Sequence, residues 1–367
     1  MNWQPKNIIG TLIDKARPFA IYSVPGTNKP VLIVQKSTKN NTISIEDIDN
    51  KHGFVIAPFE SAKTNEVILL NDDFVIKDQR GLTELEDYLL TLPELKSRSK
   101  LTNHQLSKNE YLEKAQYLIE KIKSGKFKKI VLSRVLVMEL ANAINYSKFF
   151  DELCEKYQNT FVYFLYTPET GIWSGATPET LLKKENNRLE TMAVAGTRLL
   201  SDYNIEPEWD EKEKEEQHLV SIYIENLLSE LGVKDYDING PETITAGKIV
   251  HLKTSFSINL EYLKDRLGIF IKGLHPTPAV CGLPKADAYH LIEKAETHKR
   301  KLYTGFIGPW NLDKESKLFV NLRCAEFTDN KILAYVGGGL TKDSIPIEEW
   351  QETKNKSRTL LSVVEGL

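Results

Sequence analysis

The sequence predicts a mixed α/β (α+β) fold from three observations. Residues 1–95 carry short apolar runs bounded by turn residues, FAIYSV, KPVLIVQ, GFVIAPF and EVILLN, as strands do. Further on, apolar runs of strand length alternate with stretches whose apolar residues recur three and four positions apart, the helical spacing. A chain of 367 residues can bury a large core, either as one α/β unit or as two smaller domains.

The strand-rich part gives way around TLPELKSRSKLTNHQLSKNE, where apolar periodicity lapses and charge rises. That places a boundary near residues 92–108, separating a strand-rich region (1–100) from the remainder (101–367). A helix follows, with Tyr111, Ala115, Leu118 and Ile122 on one stripe and Gly125 placed to end it. KKIVLSRVLVMEL and, after a short helix, FVYFLY read as strands. IWSGATPETLLKKENNRLETMAVAGTR reads as strands joined by turns, with a hairpin at Asn186 and Asn187. WDEKEKEEQHLVSIYIENLLSELG is the strongest helix and stops at Gly232. Strands and helices then alternate up to a C-terminal helix.

A formal charge of −3 and a pI near 6.2 offer no field for nucleic acid or an anionic membrane, so any anion site must be local. With no run of 18 apolar residues and no signal-peptide pattern, the chain is expected to be cytoplasmic and unanchored. Cys154, Cys281 and Cys324 lack metal or redox spacing and read as buried thiols.

Two helices share an oddity. In EEWQETKNKSRTLL (Glu348 to Leu361), Glu349, Glu352 and Lys356 fall on the same helical side as Leu360, Val363 and Val364. In the long helix, Glu213 and Glu216 share a sector with Leu219, Tyr223, Leu227 and Leu231. First-turn glutamates are commonly solvated and favoured by the helix dipole, which would suffice for one helix. Two E-x-x-E pairs aimed along apolar faces point instead to a shared site, because four carboxylates repel unless a cation sits among them. Oxygen ligands without a nearby His or Cys favour Mg2+.

Three other segments suggest anion binding. AYVGGGLTKDS places three glycines after an apolar strand, where bare amides can approach a carboxylate or phosphate, although a Gly run is as often a tight turn. LFVNLRCAEF puts Arg323 inside an apolar strand, where a guanidinium needs a planar anionic partner. LHPTPAVCGLPK is turn-like, and His275 within it reads as a capped loop histidine. A metal, an arginine and an amide loop together suit a small substrate bearing two carboxylates.

The ordered segments KIVLSR, SGATPE, AVAGTR, HLKTSF, HPTPAVCGLPK, RKLYTGFIG, VNLRCAEF, the GGG run and EEWQETKNK resemble the chorismate-utilising enzymes. That family comprises the isochorismate, salicylate, anthranilate and aminodeoxychorismate synthases, and the resemblance covers residues 105–365. It implies the fold of the anthranilate synthase large subunit, two stacked antiparallel sheets flanked by helices. It implies Glu216 and Glu352 as direct Mg2+ ligands, with Glu213 and Glu349 reaching the ion through water. The ring carboxylate of chorismate would lie on the metal, and its enolpyruvyl carboxylate on Arg323, Tyr303 and the amides of Gly337 and Gly339. Lys129 is then the base that activates the incoming nucleophile, and Glu179 the acid that protonates the leaving C4 hydroxyl. Gly196, Thr197, His251 and Lys356 match positions that line the ring pocket or orient water.

Four positions narrow the resemblance. Lys129 is similar to the water-adding members, where ammonia-using members have glutamine, so no glutamine amidotransferase subunit is expected. Ala195 departs from the aminodeoxychorismate pattern, which has a lysine there. Ala279 stands where the salicylate and anthranilate synthases, which also eliminate pyruvate, have threonine. Gln217-His218 departs from the family's Glu-His pair, with little expected consequence. The resemblance thus implies a Mg2+-dependent isochorismate synthase, a cytoplasmic monomer that adds water at C2 and loses the C4 hydroxyl. The alternatives are a salicylate synthase and a catalytically silent chorismate-binding protein. Retention of Lys129, Glu179, Glu216 and Glu352 argues against silence.

Overall fold

The computed structural model describes residues 8–27, 29–95, 105–199, 209–246 and 249–367. Its strands form two antiparallel sheets of nine each. The first runs β14 (Gly282–Leu283), β7 (Lys129–Glu139), β18 (Lys331–Leu340), β17 (Cys324–Phe327), β9 (Gly171–Thr177), β8 (Phe161–Thr167), β1 (Phe19–Ser23), β2 (Val31–Val34), β6 (Phe74–Ile76). The second runs β12 (Tyr236–Ala246), β13 (Ile249–Asn259), β11 (Arg188–Leu199), β10 (Thr180–Glu185), β16 (Ser316–Val320), β15 (Phe306–Trp310), β4 (Gly53–Ala57), β5 (Glu66–Leu70), β3 (Thr42–Ser44). The helices are α1 (Ile8–Asp14), α2 (Ser61–Thr64), α3 (Gln79–Leu90), α4 (Lys108–Lys123), α5 (Tyr146–Lys156), α6 (Glu211–Glu230), α7 (Leu267–Leu274), α8 (Lys285–Ala295) and α9 (Pro346–Val364).

The two sheets stack face to face. Their shared core holds Tyr22, Phe54, Tyr163 and Trp173, and Phe161 stacks on Phe319 across the gap with ring centroids 4.1 Å apart. Helices cover the outer faces: α6 and α7 the second sheet, α1, α3, α5 and the end of α9 the first. Helices α4 and α8 pack on β7. The expected stacked sheets flanked by helices are the observed arrangement. Strands β1, β2 and β6 complete one sheet and β3, β4 and β5 the other, so the N-terminal region shares both sheets with the rest of the chain. The boundary expected at 92–108 falls largely on residues 96–104, which lie outside the described residues.

Local chemistry explains the element ends. Ser107 and Glu110 form a capping box at the start of α4, satisfying two otherwise orphaned amides. Gly125 follows that helix with φ +86°, a conformation glycine adopts without strain. The hairpin expected at Asn186 and Asn187 joins Glu185 to its partner Arg188, with Asn186 at φ +52°.

One edge is finished by side chains rather than by a strand. Strand β14 pairs only with Lys129 and Ile130, which leaves the next turn of the β7 edge to a buried ion pair. Arg300 donates from Nη2 to Val131 O and to Glu296 Oε1, and from Nη1 to Val280 O, at 2.7–2.8 Å. The Ser133 amide donates to Glu296 Oε1 at 2.8 Å. Burial alone would raise the Glu296 carboxyl, but Arg300 beside it holds it below the usual range.

Arg300→Met would leave Glu296 charged and buried beside two carbonyls stripped of a donor. It should cost about 3–5 kcal/mol of stability, measured by denaturant unfolding. The double variant with Glu296→Leu should recover part of that loss.

Candidate active site

Where the first sheet opens beside α6 and α9, the chain encloses a cavity of about 230 Å³, room for one small molecule. Every candidate from the sequence lines it except Thr197. Thr197 pairs with His251 in the ladder, and its side chain lies outside the described residues.

The glycines are the floor. The sequence suggested a loop after a strand; instead Gly337, Gly338 and Gly339 lie within β18, facing Ser133, Leu132 and Val131 of β7. The amides of Ser133 and Val131 are bonded elsewhere, to Glu296 and to Cys281 O. Facing residues in an antiparallel ladder exchange both bonds or neither, so the Gly337 and Gly339 amides point away from β7. On that other side the pairing of β17 with β18 ends at Cys324–Tyr335, so those amides look into the opening. Side chains occupy the space a Cβ would need. A Cβ at Gly337 would lie 2.8 Å from Tyr303 Oη, at Gly338 2.9 Å from Glu349 Oε2, and at Gly339 2.5 Å from Lys129 Cε. Successive residues face opposite sides of a strand, so Glu349 approaches from one face, and Lys129 and Tyr303 from the other.

Arg323 is not inside a strand, as its apolar neighbours suggested. It sits at the bend before β17 with φ +49°, where the chain must turn away from β18 and open the gap. Burial lowers its pKa, and among the described residues its guanidinium has no salt-bridge partner.

The four glutamates line the same cavity but do not converge. Among the described residues no three acidic, His or Cys side chains gather as a metal cluster. Instead, Glu216 accepts from Lys129 Nζ and Glu352 from Lys356 Nζ, both at 2.5 Å. Glu213 takes two bonds from Arg198, at 2.8 and 2.9 Å, and Glu349 accepts from Ser344 at 2.6 Å. Carboxylates crowded together repel, and each has taken a nearby donor. The donor set is still all oxygen and anionic, which fits a hard divalent cation. The helical face of α6 also needs correction. Its fully buried stripe is Gln217, Val220, Ser221, Ile224 and Leu228, while Leu219, Tyr223 and Leu227 are only half-buried. Glu213 and Glu216 therefore stand at the edge of the packed stripe, where it meets the cavity. Gln217, given little weight in the sequence, donates to Ser221 and to Thr254 of β13, at 3.0 and 2.6 Å, and so locks the helix onto the sheet.

At Glu179 and His251 burial favours the neutral form. Burial pushes Glu179, in the turn after β9, up to about 7 despite the nearby cations Lys129, Arg323 and Lys356. Burial drives His251 down to about 4, so its neutral ring donates from Nδ1 to Gly196 O at 3.0 Å and leaves Nε2 an acceptor. Gly196 makes this possible from a β-bulge with φ +74°. His275, by contrast, is buried against Phe306, 5.1 Å between ring centroids, outside this cavity.

A family model described as "Chorismate binding enzyme" matches residues 53–365. The chain belongs to that family. It is 31% identical over 305 residues to the isochorismate synthase MenF of Haemophilus influenzae, covering 79% of this chain and 70% of that protein. It is 30% identical over 244 residues to the isochorismate synthase EntC of Escherichia coli, covering 64% of this chain and 62% of that protein. A Bacillus anthracis structure described as a putative 2,3-dihydroxybenzoate-specific isochorismate synthase superposes with a TM-score of 0.76 at 24% identity. That superposition covers 97% of this chain and 99% of the other. Component I of anthranilate synthase from Streptococcus pneumoniae gives a TM-score of 0.66 at 17% identity, over 93% and 89% of the two chains. At such identities the structural likeness establishes the fold.

In this chorismate-binding enzyme the raised Glu179 has a thermodynamic signature. Between its unfolded value of 4.5 and about 7 the folded chain holds a proton the unfolded chain has lost, so stability falls as pH rises through that window. Glu179→Gln removes the dependence and should gain about 1–3 kcal/mol on the parent between pH 4.5 and 7. A constant difference across that range in denaturant melts would show that Glu179 holds no such proton.

Proposed function

We propose that this chorismate-binding enzyme is an isochorismate synthase, an isomerase that moves a hydroxyl from C4 to C2 of chorismate. The observation that carries the chemistry is a buried lysine and a proton-holding carboxyl on the walls of one small cavity, Lys129 and Glu179. Arg323, Tyr303 and the Gly337 and Gly339 amides hold the enolpyruvyl carboxylate in the opening beyond β17. Water then adds at C2, giving its proton to Lys129, while both ring double bonds shift and the C4–O bond breaks. Glu179 delivers its proton to the departing hydroxide, so water enters and water leaves. To accept that proton Lys129 must be a neutral amine, so it releases its extra proton to solvent as it exchanges its ion pair with Glu216 for a bond to the attacking water. His251 Nε2 accepts a hydrogen bond that orients the ring or that water, and Lys356, which donates to Gly337 O at 3.1 Å, braces the same strand. Gly196 and Thr197 shape the adjoining wall.

Glu216 and Glu352 would hold Mg2+, with Glu213 and Glu349 reaching it through water. The ion would supply neutralisation of the ring carboxylate and of the glutamates facing it. Lysine at 129 favours water over ammonia as nucleophile, so no amidotransferase partner is needed. The enzyme acts as a cytoplasmic monomer, and its product enters menaquinone, siderophore or salicylate formation.

Glu216→Gln and Glu352→Gln preserve shape and remove a ligand charge, so turnover should drop at least about a hundredfold while the melting temperature holds or rises. Full activity in EDTA would refute the metal requirement.

Product identity tests the assignment. Ala279 on the cavity wall leaves the enolpyruvyl arm unrestrained, whereas threonine would add a methyl group and a hydroxyl beside it. The native protein should convert chorismate to a mixture with isochorismate without pyruvate, and Ala279→Thr should begin to release pyruvate. Stoichiometric pyruvate from the native protein in a lactate-dehydrogenase-coupled assay would make it a salicylate-type synthase instead.

A further inference from the structure

On the outer face of the first sheet, Arg134 is buried to 2% exposure. Among the described residues it has no carboxylate partner, and its Nη2 has no hydrogen bond. Buried arginines are normally paired, because an unpaired guanidinium gives up its hydration for nothing. Burial lowers its pKa to about 10, which still leaves it charged at neutral pH. What Arg134 does contact lies mostly on one helix. Its Nε donates to Thr353 Oγ1 at 2.9 Å, and its guanidinium lies 3.6 Å from the ring centroid of Trp350. Thr353 Oγ1 in turn donates to Trp350 O at 2.7 Å, and Tyr111 packs edge-on against the indole with centroids 5.3 Å apart, 6.0 Å from the same guanidinium.

Trp350 and Thr353 directly follow Glu349 and Glu352 in the chain. The arginine therefore grips α9 at the two residues whose neighbours carry the cavity carboxylates. We propose that Arg134 is a positioning residue: by stacking on Trp350 and bonding Thr353 it sets the rotation of α9, and so the divalent-cation affinity of Glu352 and Glu349. Metal–oxygen distances tolerate only about 0.2 Å of error, and a small helix rotation carries the tip of a glutamate farther than that. A planar group that stacks and donates from Nε does this; a lysine ammonium does not. The inference rests on the reading of these glutamates as cation ligands.

The test uses Mn2+ as probe, its free-ion EPR signal titrated against the full-length protein and the variants R134M, R134K and T353V. Both Arg134 variants should weaken Mn2+ binding about tenfold or more, and T353V, which keeps the side-chain shape and should fold normally, should weaken it several-fold. The Mg2+ concentration for half-maximal isochorismate formation should rise by the same factors, with turnover at saturating Mg2+ within about threefold of the parent. A merely structural arginine would instead lower the melting temperature and turnover while Mn2+ affinity stayed at the parent value in T353V and in any Arg134 variant that folds. That result would overturn the proposal. Absence of Mn2+ binding by the unmodified protein would overturn the cation site itself.

Discussion

The geometry of the site depends on one buried ion pair that it does not contain. Glu296 and Arg300 occupy the edge of β7 where a further strand would otherwise lie, and between them they engage Ser133 N, Val131 O and Val280 O. Because those groups are used on that edge, the ladder to β18 runs through the alternate residues, and the Gly337 and Gly339 amides are turned outward. The same arginine holds Val280, next to Ala279. An edge strand in place of the pair would supply the same backbone bonds, but it would extend the sheet across the turn that carries Ala279.

Electrostatics in the cavity are arranged as exchangeable pairs. Lys129 with Glu216 and Lys356 with Glu352 let two carboxylates share a confined space without a net excess of charge. Arg323 stands apart, at the point where β17 and β18 separate, and so places a desolvated cation at that end of the cavity. Glu179 sits where burial outweighs three nearby cations, which is what keeps a carboxyl protonated near neutral pH.

The parts of this structure that were readable in the sequence are those fixed by near neighbours. The capping box before α4, the two-residue turn at Asn186 and the stop at Gly125 follow from local chemistry. Glu349 and Glu352 announced themselves because a carboxylate on an apolar helical face is costly unless something receives it. Other features depend on partners distant in the chain. That the glycines belong to a paired strand is decided by β7, some 200 residues earlier, and glycine runs are ambiguous without that partner. Arg323 looked like a strand residue because its neighbours are apolar, yet its φ of +49° is set by the need to diverge from β18. The true buried stripe of α6 includes Gln217, whose amide finds hydroxyls on another element; a polar residue satisfied at a distance cannot be told from a solvated one. Arg198 and Ser344, which hold Glu213 and Glu349, were missed for the same reason.

The proposed use of peptide amides in β18 as anion donors has an evolutionary corollary. A side-chain anchor can be lost or retuned by a single codon change, but a main-chain N–H is present whatever the residue, short of proline. Substitution at Gly337 or Gly339 can only obstruct the floor, since each would place a Cβ within 3 Å of a neighbouring side chain. Variation compatible with binding is thereby channelled to the walls, to positions such as 195 and 279 where a methyl group now stands. A lineage built on this scaffold can change what it makes while leaving unchanged how it grips the acid.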